Sequence, residues 1–138
     1  MSFDHVQTAS VIRYPFLWHR EFEQGETEGR KPRPTVVAVR LVRPSGEDVL
    51  VLLPITSKPP SPGRKAVEIP KKEKRMAGLQ ADLRLWIVLD EYNLDFVGKS
   101  YYLSPEAKLG RFSKAFFGPV AMDFVKGRET AKGVNRKA

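Results

Sequence analysis

Short runs of β-branched and aromatic residues, separated by turn-forming residues, dominate the first ninety positions of the chain. Residues 35–42 and 49–55 are two such runs, and the Pro-Ser-Gly turn at 44–46 joins them, which predicts a β-hairpin. Leucine or isoleucine occupies every second position of residues 83–90, the period of a strand with one buried face. The pattern therefore predicts that most of the fold is β.

Two further runs predict strands that are shorter or less regular. Residues 11–18 are rich in strand-forming residues, but Pro15 has no N–H to donate, which places this strand at a sheet edge. Residues 66–69 predict a short strand. The stretches at 19–34 and 57–64 combine glycine, proline and charge, and this composition indicates long loops.

The pattern changes to helical signals near the carboxyl end of the chain. The Ser-Pro-Glu sequence at 104–106 predicts a helix start, because serine caps free N–H groups and proline suits the first helical position. The Gly-Pro pair at 118–119 predicts a break. Residues 120–125 then predict a second short helix that ends at Gly127.

Together these elements predict one domain of the mainly β (α+β) class, a small twisted barrel covered by C-terminal helices. A chain of 138 residues is long enough for one such core and too short for two ordinary domains. We expect the domain to span residues 11–127, with a loose leader over residues 1–10 and a basic, flexible tail over residues 128–138.

Charge adds a prediction about partners, and composition adds one about location. The formal net charge is +8, which favours a polyanionic partner, although a basic balance also serves solubility. A basic run at 71–75 and lysines and arginines in the 57–65 region supply much of this charge. The chain has no cysteine and no apolar run of about 18 residues, so we expect a cytoplasmic protein without a disulfide framework or a membrane span.

Three sequence segments, in order, resemble the PemK/MazF toxin family. The first is Gly-Arg-Lys-Pro-Arg-Pro-Thr-Val-Val at residues 29–37, which is similar to the family's Arg-Pro segment before its second strand. The second is Leu-Pro-Ile-Thr-Ser at residues 53–57, and the third is the strand at 86–90 that closes on an acid and is preceded by Gly-Leu at 78–79. The resemblance covers roughly residues 11–125, and the order of the segments matters more than any one of them.

This resemblance implies an SH3-like barrel that forms a homodimer. It also implies a metal-independent endoribonuclease that cleaves single-stranded RNA, needs no cofactor and is neutralised by a small acidic antitoxin. The family's reaction attacks the phosphodiester with the 2′-hydroxyl of the RNA itself. Such a reaction needs a base, a donor for the departing 5′-oxygen and groups that stabilise the phosphate.

The resemblance assigns these roles to particular residues. Arg33 is the motif arginine, and its fork of N–H donors suits phosphate and transition-state stabilisation; alternatively, it is a surface arginine paired within its loop. Thr56 and Ser57 match the family's hydroxyl pair, or simply end a strand before a proline-rich loop. Asp90 matches the family's acid and is expected to hold Arg33 or to accept the 2′-proton. His19 is an alternative acid or base from outside the motif.

The chain departs from the family pattern on both sides of the acid in the late strand. In that family an arginine often follows the acid, where this chain has Tyr92 and Asn93. The PemK branch commonly has a catalytic arginine two residues before the acid, where this chain has Val88. Arg84 lies too far along the same strand to replace it. A second interpretation is therefore a non-catalytic SH3-like barrel that has lost the late-strand arginine and binds nucleic acid or a protein partner. A third is a domain that is basic only for solubility.

RNA binding is expected to draw on the basic loop after the second motif and on aromatic side chains. Aromatic rings such as Trp18, Trp86 and Tyr92 can stack on unpaired bases, although such rings more commonly belong to a core or a dimer contact. The residues assigned to RNA binding are Ser57, Lys58, Arg64, Lys65 and Trp86. No group of side chains has metal-ligand spacing, so no metal site is predicted.

Overall fold

The computed structural model describes residues 2–29 and 31–137, which form a mainly β fold with three helices. The mainly β prediction is thus confirmed. The strands are β1 (Ser10–Tyr14), β2 (Arg33–Val42), β3 (Asp48–Thr56), β4 (Ala66–Glu68), β5 (Trp86–Val88), β6 (Glu91–Phe96), β7 (Lys108–Arg111) and β8 (Lys132–Asn135). The helices are α1 (His19–Glu23), α2 (Lys71–Met76) and α3 (Lys114–Gly127).

The strands form one sheet in the order β4-β5-β3-β2-β1-β7, and β6 pairs with both β3 and β8. All pairings are antiparallel except that of β6 with β8. The predicted hairpin is β2–β3, and Thr35 of β2 lies opposite Pro54 of β3. Within the described residues no pairing joins the two ends of this order, so the hydrogen-bonded sheet is open.

Apolar side chains cover both faces of the sheet. Neighbouring residues on one strand belong to different core clusters: Val36 packs with the cluster that includes α3, whereas Val37 packs with the cluster that includes Trp18. Ile87 and Val88 divide in the same way on β5. Successive strand side chains point to opposite faces, so burial of both faces explains why β2 and β3 are almost continuously apolar.

β5 and β6 follow the same edge of β3 but are separated by a kink at Leu89 and Asp90. Ile55 of β3 pairs with Ile87, and Leu52 of β3 pairs with Asn93. A step of three residues along β3 therefore corresponds to a step of six residues along the segment that contains β5 and β6. The three extra residues leave the pairing at the kink. Asp90 therefore lies between two strands, where its carboxylate is available to other parts of the chain.

The first residues of the chain are more ordered than the predicted loose leader. Val6 and Ser10 are buried, and Ser10 already belongs to β1. Arg40 explains this order, because its Nη1 donates to the carbonyls of Phe3 (2.6 Å) and Val6 (2.7 Å). Asp48 holds the same guanidinium through two hydrogen bonds, so the leader is tied to the β2–β3 hairpin.

The C-terminal segment also differs from the predicted flexible tail. β8 pairs in parallel with β6, and Arg136, directly after β8, is 4% exposed. Its Nη1 donates to the carbonyl of Pro15 (2.9 Å) and to Oδ1 of Asn93 (3.0 Å). The guanidinium also lies 4.0 Å from the ring centroid of Tyr102. These acceptors come from distant parts of the chain, which is why local composition did not reveal them.

The helical predictions were partly wrong. The Ser-Pro-Glu sequence at 104–106 lies in a turn before β7, and the helix begins nine residues later, with Ser113 as the residue that caps α3. Pro119 lies inside α3, six residues into the helix, and does not break it. The predicted end at Gly127 is confirmed. The segment 19–34, expected to be a loop, contains the short helix α1, and the basic run at 71–75 forms most of α2.

Candidate functional site

The ends of three strands meet beside α1 and form a cleft of about 270 Å³. Arg33 begins β2 and Thr56 ends β3, so the antiparallel register brings the two residues to the same end of the sheet. Thr56 lies opposite Trp86, the first residue of β5. The loop at 57–64 forms the remaining wall. The sheet register thus brings together Arg33, Thr56 and Trp86 from three separate segments of the sequence.

The residues that line this cleft carry positive charge only. Its lining contains four cationic side chains, and among the described residues no carboxylate lines it. The lining residues are Trp18, Arg20, Arg33, Thr56, Lys58, Pro59, Pro60, Ser61, Arg64, Ala66, Trp86 and Val88. Such a concave cationic surface focuses a positive potential and attracts anionic groups.

Arg33 is one of the four cationic residues that line the cleft, and it is half-buried. Its guanidinium carbon lies 5.1 Å from the ring centroid of Trp18, and the guanidinium of Arg20 lies 5.2 Å from the same ring. Burial lowers the pKa of Arg33; the attraction of Glu21 opposes this effect, and the repulsion of Arg20 adds to it. A bound anion would relieve the cost of holding these two guanidinium groups close together.

Thr56 and Lys58 form the turn that leads out of β3. The hydroxyl oxygen of Thr56 accepts a hydrogen bond from the backbone N–H of Lys58 at 3.1 Å. The hydroxyl hydrogen of Thr56 stays available to a ligand in the cleft, because that bond uses only the oxygen. Ser57 does not line this cleft and lies instead in a neighbouring depression with Leu79 and Leu85. The structure therefore separates the predicted hydroxyl pair.

Asp90 binds an arginine, but the arginine is Arg64 and not Arg33. The two Asp90 carboxylate oxygens accept from Nε (2.8 Å) and Nη2 (2.7 Å) of Arg64, and Nη2 also donates to Glu91 (2.9 Å). Burial by itself would raise the pKa of Asp90, but the hydrogen bonds from Arg64 and from the backbone N–H of Lys65 lower it below the ordinary value. Asp90 is consequently an ionised partner and a poor proton acceptor at neutral pH.

His19 lies in a second depression next to the cleft. Its Nδ1 is 3.1 Å from a carboxylate oxygen of Glu23, and its backbone N–H donates to Glu91 at 2.8 Å. Arg20 and Arg64 line both the cleft and this depression, so they lie between His19 and Thr56. His19 is not among the residues that line the cleft, and its imidazole lies in the depression beside it.

The tryptophans hold arginines and are not open platforms for bases. Trp18 and Trp86 are 7% and 6% exposed, and guanidinium groups already stack on both rings. On Trp86 this group belongs to Arg84, at 4.9 Å from the ring centroid. Tyr92 packs edge-on against Phe124. Base stacking on these rings is therefore less favourable than the sequence suggested, and their contribution is to orient cations.

Sequence reasoning missed Arg20 and underrated Arg64. Arg20 was part of a predicted loop, and only the short helix α1 directs it to the cleft. A signal existed, because Arg20 follows Trp18 by two residues and basic residues beside aromatic ones are typical of nucleic-acid sites. Lys65, by contrast, does not line the cleft, and its backbone N–H donates to Asp90 at 3.2 Å.

Comparison with known proteins identifies no family for this chain. No family model matches it, and no curated protein matches it.

Within residues 2–29 and 31–137, no group of three or more His, Cys, Asp or Glu side chains is arranged to hold a metal ion. None of the helices in the described part of the chain is long and apolar enough to cross a membrane.

Proposed function

We propose that this protein binds single-stranded RNA in the cationic cleft and cleaves it as a metal-independent endoribonuclease of the PemK/MazF type. The observation that carries the proposal is the convergence of Arg33, Thr56 and Lys58 in one cleft whose described lining has no carboxylate. Arg33 and Thr56 belong to different sequence segments, each of which resembles that family. RNA supplies both a phosphate for the cations and the 2′-hydroxyl that the reaction requires.

In the proposed reaction the 2′-oxygen forms a bond to phosphorus while the bond from phosphorus to the 5′-oxygen breaks. The 2′-hydroxyl loses its proton and the 5′-oxygen gains one, so the products are a 2′,3′-cyclic phosphate and a 5′-hydroxyl. Arg33 stabilises the charge that develops on the phosphate oxygens, and Thr56 donates a hydrogen bond to the same group. His19, in the adjacent depression, is the nearest imidazole for the proton transfers.

The same proposal extends to the architecture and the partners that the resemblance to this family implies for the protein. We propose that the open sheet is a curved, SH3-like arrangement, because one extra residue in β7, opposite Val11 and Ile12, and one in β2, after Val37, bend these two strands. We propose further that two copies form a homodimer and that a small acidic antitoxin neutralises the protein, since an acidic chain would complement the cationic cleft.

A binding protein without cleavage activity is the second candidate. The observation that favours it is that neither a carboxylate nor an imidazole is among the described residues that line the cleft, while the pKa of Asp90 is held low. Such a protein would hold single-stranded RNA through the same cations. One experiment on cleavage distinguishes the two candidates.

The test is end-group analysis of a labelled single-stranded RNA, with and without EDTA. Arg33→Ala should reduce the cleavage rate by about a hundredfold to a thousandfold, because one contact to the developing charge is lost. Thr56→Ala should reduce it less, because a neutral donor is weaker than a charged one. The matched control is Arg111→Ala, an exposed arginine on β7 at the other end of the strand order.

Wild type and Arg111→Ala should leave a 2′,3′-cyclic phosphate in the presence of EDTA. An Arg33→Ala variant that cuts as fast as wild type, or a reaction that EDTA stops, contradicts the proposed mechanism. Binding of RNA without any cleavage by wild type supports the second candidate.

A further inference from the structure

The guanidinium of Arg64 is held at one end and open at the other. Its Nε and both hydrogens of Nη2 donate to Asp90 and Glu91, so three of its five N–H groups are in use. Nη1 carries the remaining two, and among the described residues it has no hydrogen-bond partner. Arg64 lines the cleft, so the two N–H groups of this free end can each donate a hydrogen bond to a ligand there.

The carboxylates that hold Arg64 are themselves fixed by the backbone. Asp90 lies at the kink between β5 and β6 and accepts from the backbone N–H of Lys65 at 3.2 Å. Glu91 is buried, and its second oxygen accepts from the backbone N–H of His19 at 2.8 Å. A long side chain held by two fixed acceptors has already lost its rotamer freedom, so a ligand that binds it does not bear that cost again.

Arg64 also lies near Val88, the position at which the late strand lacks an arginine. Ala66 of β4 lies opposite Val88 of β5, and Arg64 precedes Ala66 by two residues. Arg64 and Val88 both line the cleft. A cation that β5 does not carry is therefore supplied from the neighbouring segment that leads into β4.

We propose that Arg64 donates through Nη1 to the phosphate oxygens of RNA bound in the cleft, and that Asp90 and Glu91 are positioning residues for this arginine. The proposal rests on the proposed function and assigns the acid of the late-strand motif a role in orientation. No bond changes at Arg64, whose contribution is the geometry of two N–H donors.

Charge and position make opposite predictions for Asp90→Asn. The substitution removes one negative charge beside a cationic cleft, so electrostatics alone predicts tighter binding of RNA. If Asp90 positions Arg64, the same substitution weakens binding, because Arg64 loses its paired acceptor and becomes mobile. The matched control is Glu23→Gln, which makes the same change of charge in the adjacent depression and touches His19 instead of Arg64.

The experiment measures the dissociation constant of a 2′-O-methylated single-stranded RNA oligomer, which cannot be cleaved by 2′-hydroxyl attack. Arg64→Ala should weaken binding by about tenfold or more, and Asp90→Asn by several-fold. The variant that carries both Arg64→Ala and Asp90→Asn should bind no more weakly than Arg64→Ala alone. Glu23→Gln should bind as tightly as wild type or more tightly. Arg64→Lys should recover only part of the loss, because lysine keeps the charge without the planar guanidinium that Asp90 and Glu91 hold in place.

Thermal unfolding of each variant verifies that the fold is retained, and the Arg64→Lys variant carries the test if Arg64→Ala is unstable. If Asp90→Asn tightens RNA binding as Glu23→Gln does, the positioning role of Asp90 is wrong and the proposed function still stands. An Arg64→Ala variant that binds like wild type, while Arg33→Ala does not bind, also overturns the inference alone. If wild type does not bind the oligomer at all, the proposed function fails and the inference fails with it.

Discussion

Gly29 opens the motif at residues 29–37 that contains Arg33, and its backbone conformation requires a glycine. Its φ angle is +74°, and a Cβ there would lie 2.6 Å from the carbonyl oxygen of Pro15 and 2.9 Å from that of Phe16. Such backbone contacts cannot move aside as a flexible side chain would. The close approach packs the start of the motif against the segment that leads to Trp18, and thus sets where Arg33 enters the cleft.

At this scale we predict that Gly29→Ala destabilises the protein more than Gly25→Ala. Both glycines have positive φ angles, so both substitutions incur the same kind of backbone strain, but Gly25 has no atom within 4 Å of the added Cβ. The difference in the free energy of unfolding should be about 1–3 kcal/mol. Urea denaturation of the two variants measures it. Equal losses would show that the contact with Pro15 is unimportant.

Helix α3 shows how an element start depends on a tertiary partner. Ser113 accepts from the backbone N–H of Phe116 at 3.2 Å, and its own hydroxyl and N–H donate to the two oxygens of Glu73 at 2.7 and 2.9 Å. Glu73 is a buried residue of α2. The start of α3 and the position of α2 are therefore coupled by one carboxylate.

For this element we predict that Ser113→Ala lowers the free energy of unfolding by about 1–2 kcal/mol, since the cap is lost and a buried carboxylate loses a donor. The matched control is Ser104→Ala, at the place where the sequence pattern predicted the helix. The hydroxyl of Ser104 is exposed and donates to Glu106 at 2.8 Å, so its loss should cost less than about 0.5 kcal/mol. Chemical denaturation provides both values, and a larger effect at Ser104 would contradict the assignment of the cap.

For the whole molecule, where the positive charge lies matters more than its total. The net charge is +8, but Lys74 in the basic run at 71–75 is buried and its Nζ donates to the carbonyl of Leu83. The basic run is thus partly structural. Lys58, in contrast, is exposed and lines the cleft. None of the described residues that line the cleft has a carboxylate side chain.

We therefore predict that charge removal weakens RNA binding only where the cation lines the cleft. Lys58→Gln should reduce the slope of log affinity against log salt by about 0.7, the value for one single-strand phosphate contact. Lys72→Gln, an exposed lysine on α2 that does not line the cleft, makes the same change of net charge and should leave the slope unchanged. Binding titrations over a range of salt concentrations test both variants. Equal changes would mean that RNA senses only the net charge.

The sequence by itself determined the β2–β3 hairpin and three members of the cleft. The β2–β3 hairpin follows from two apolar runs around a turn, because strand period and turn chemistry act over a few residues. Arg33, Thr56 and Trp86 could be selected from motifs at strand ends, and antiparallel pairing then brings them together. The basic composition indicated the sign of the surface, although not which cations form it.

Only the tertiary structure decided which charged groups are partners. Asp90 holds Arg64 across 26 positions of sequence, and Arg136 reaches acceptors more than forty positions away, distances over which no local pattern operates. The same holds for α3, whose start depends on Glu73 of another helix. The periodicity of apolar residues records which face of an element is buried. The partner of a buried polar group depends instead on how distant segments pack, because each desolvated charge must find a counter-charge or a hydrogen-bond donor there.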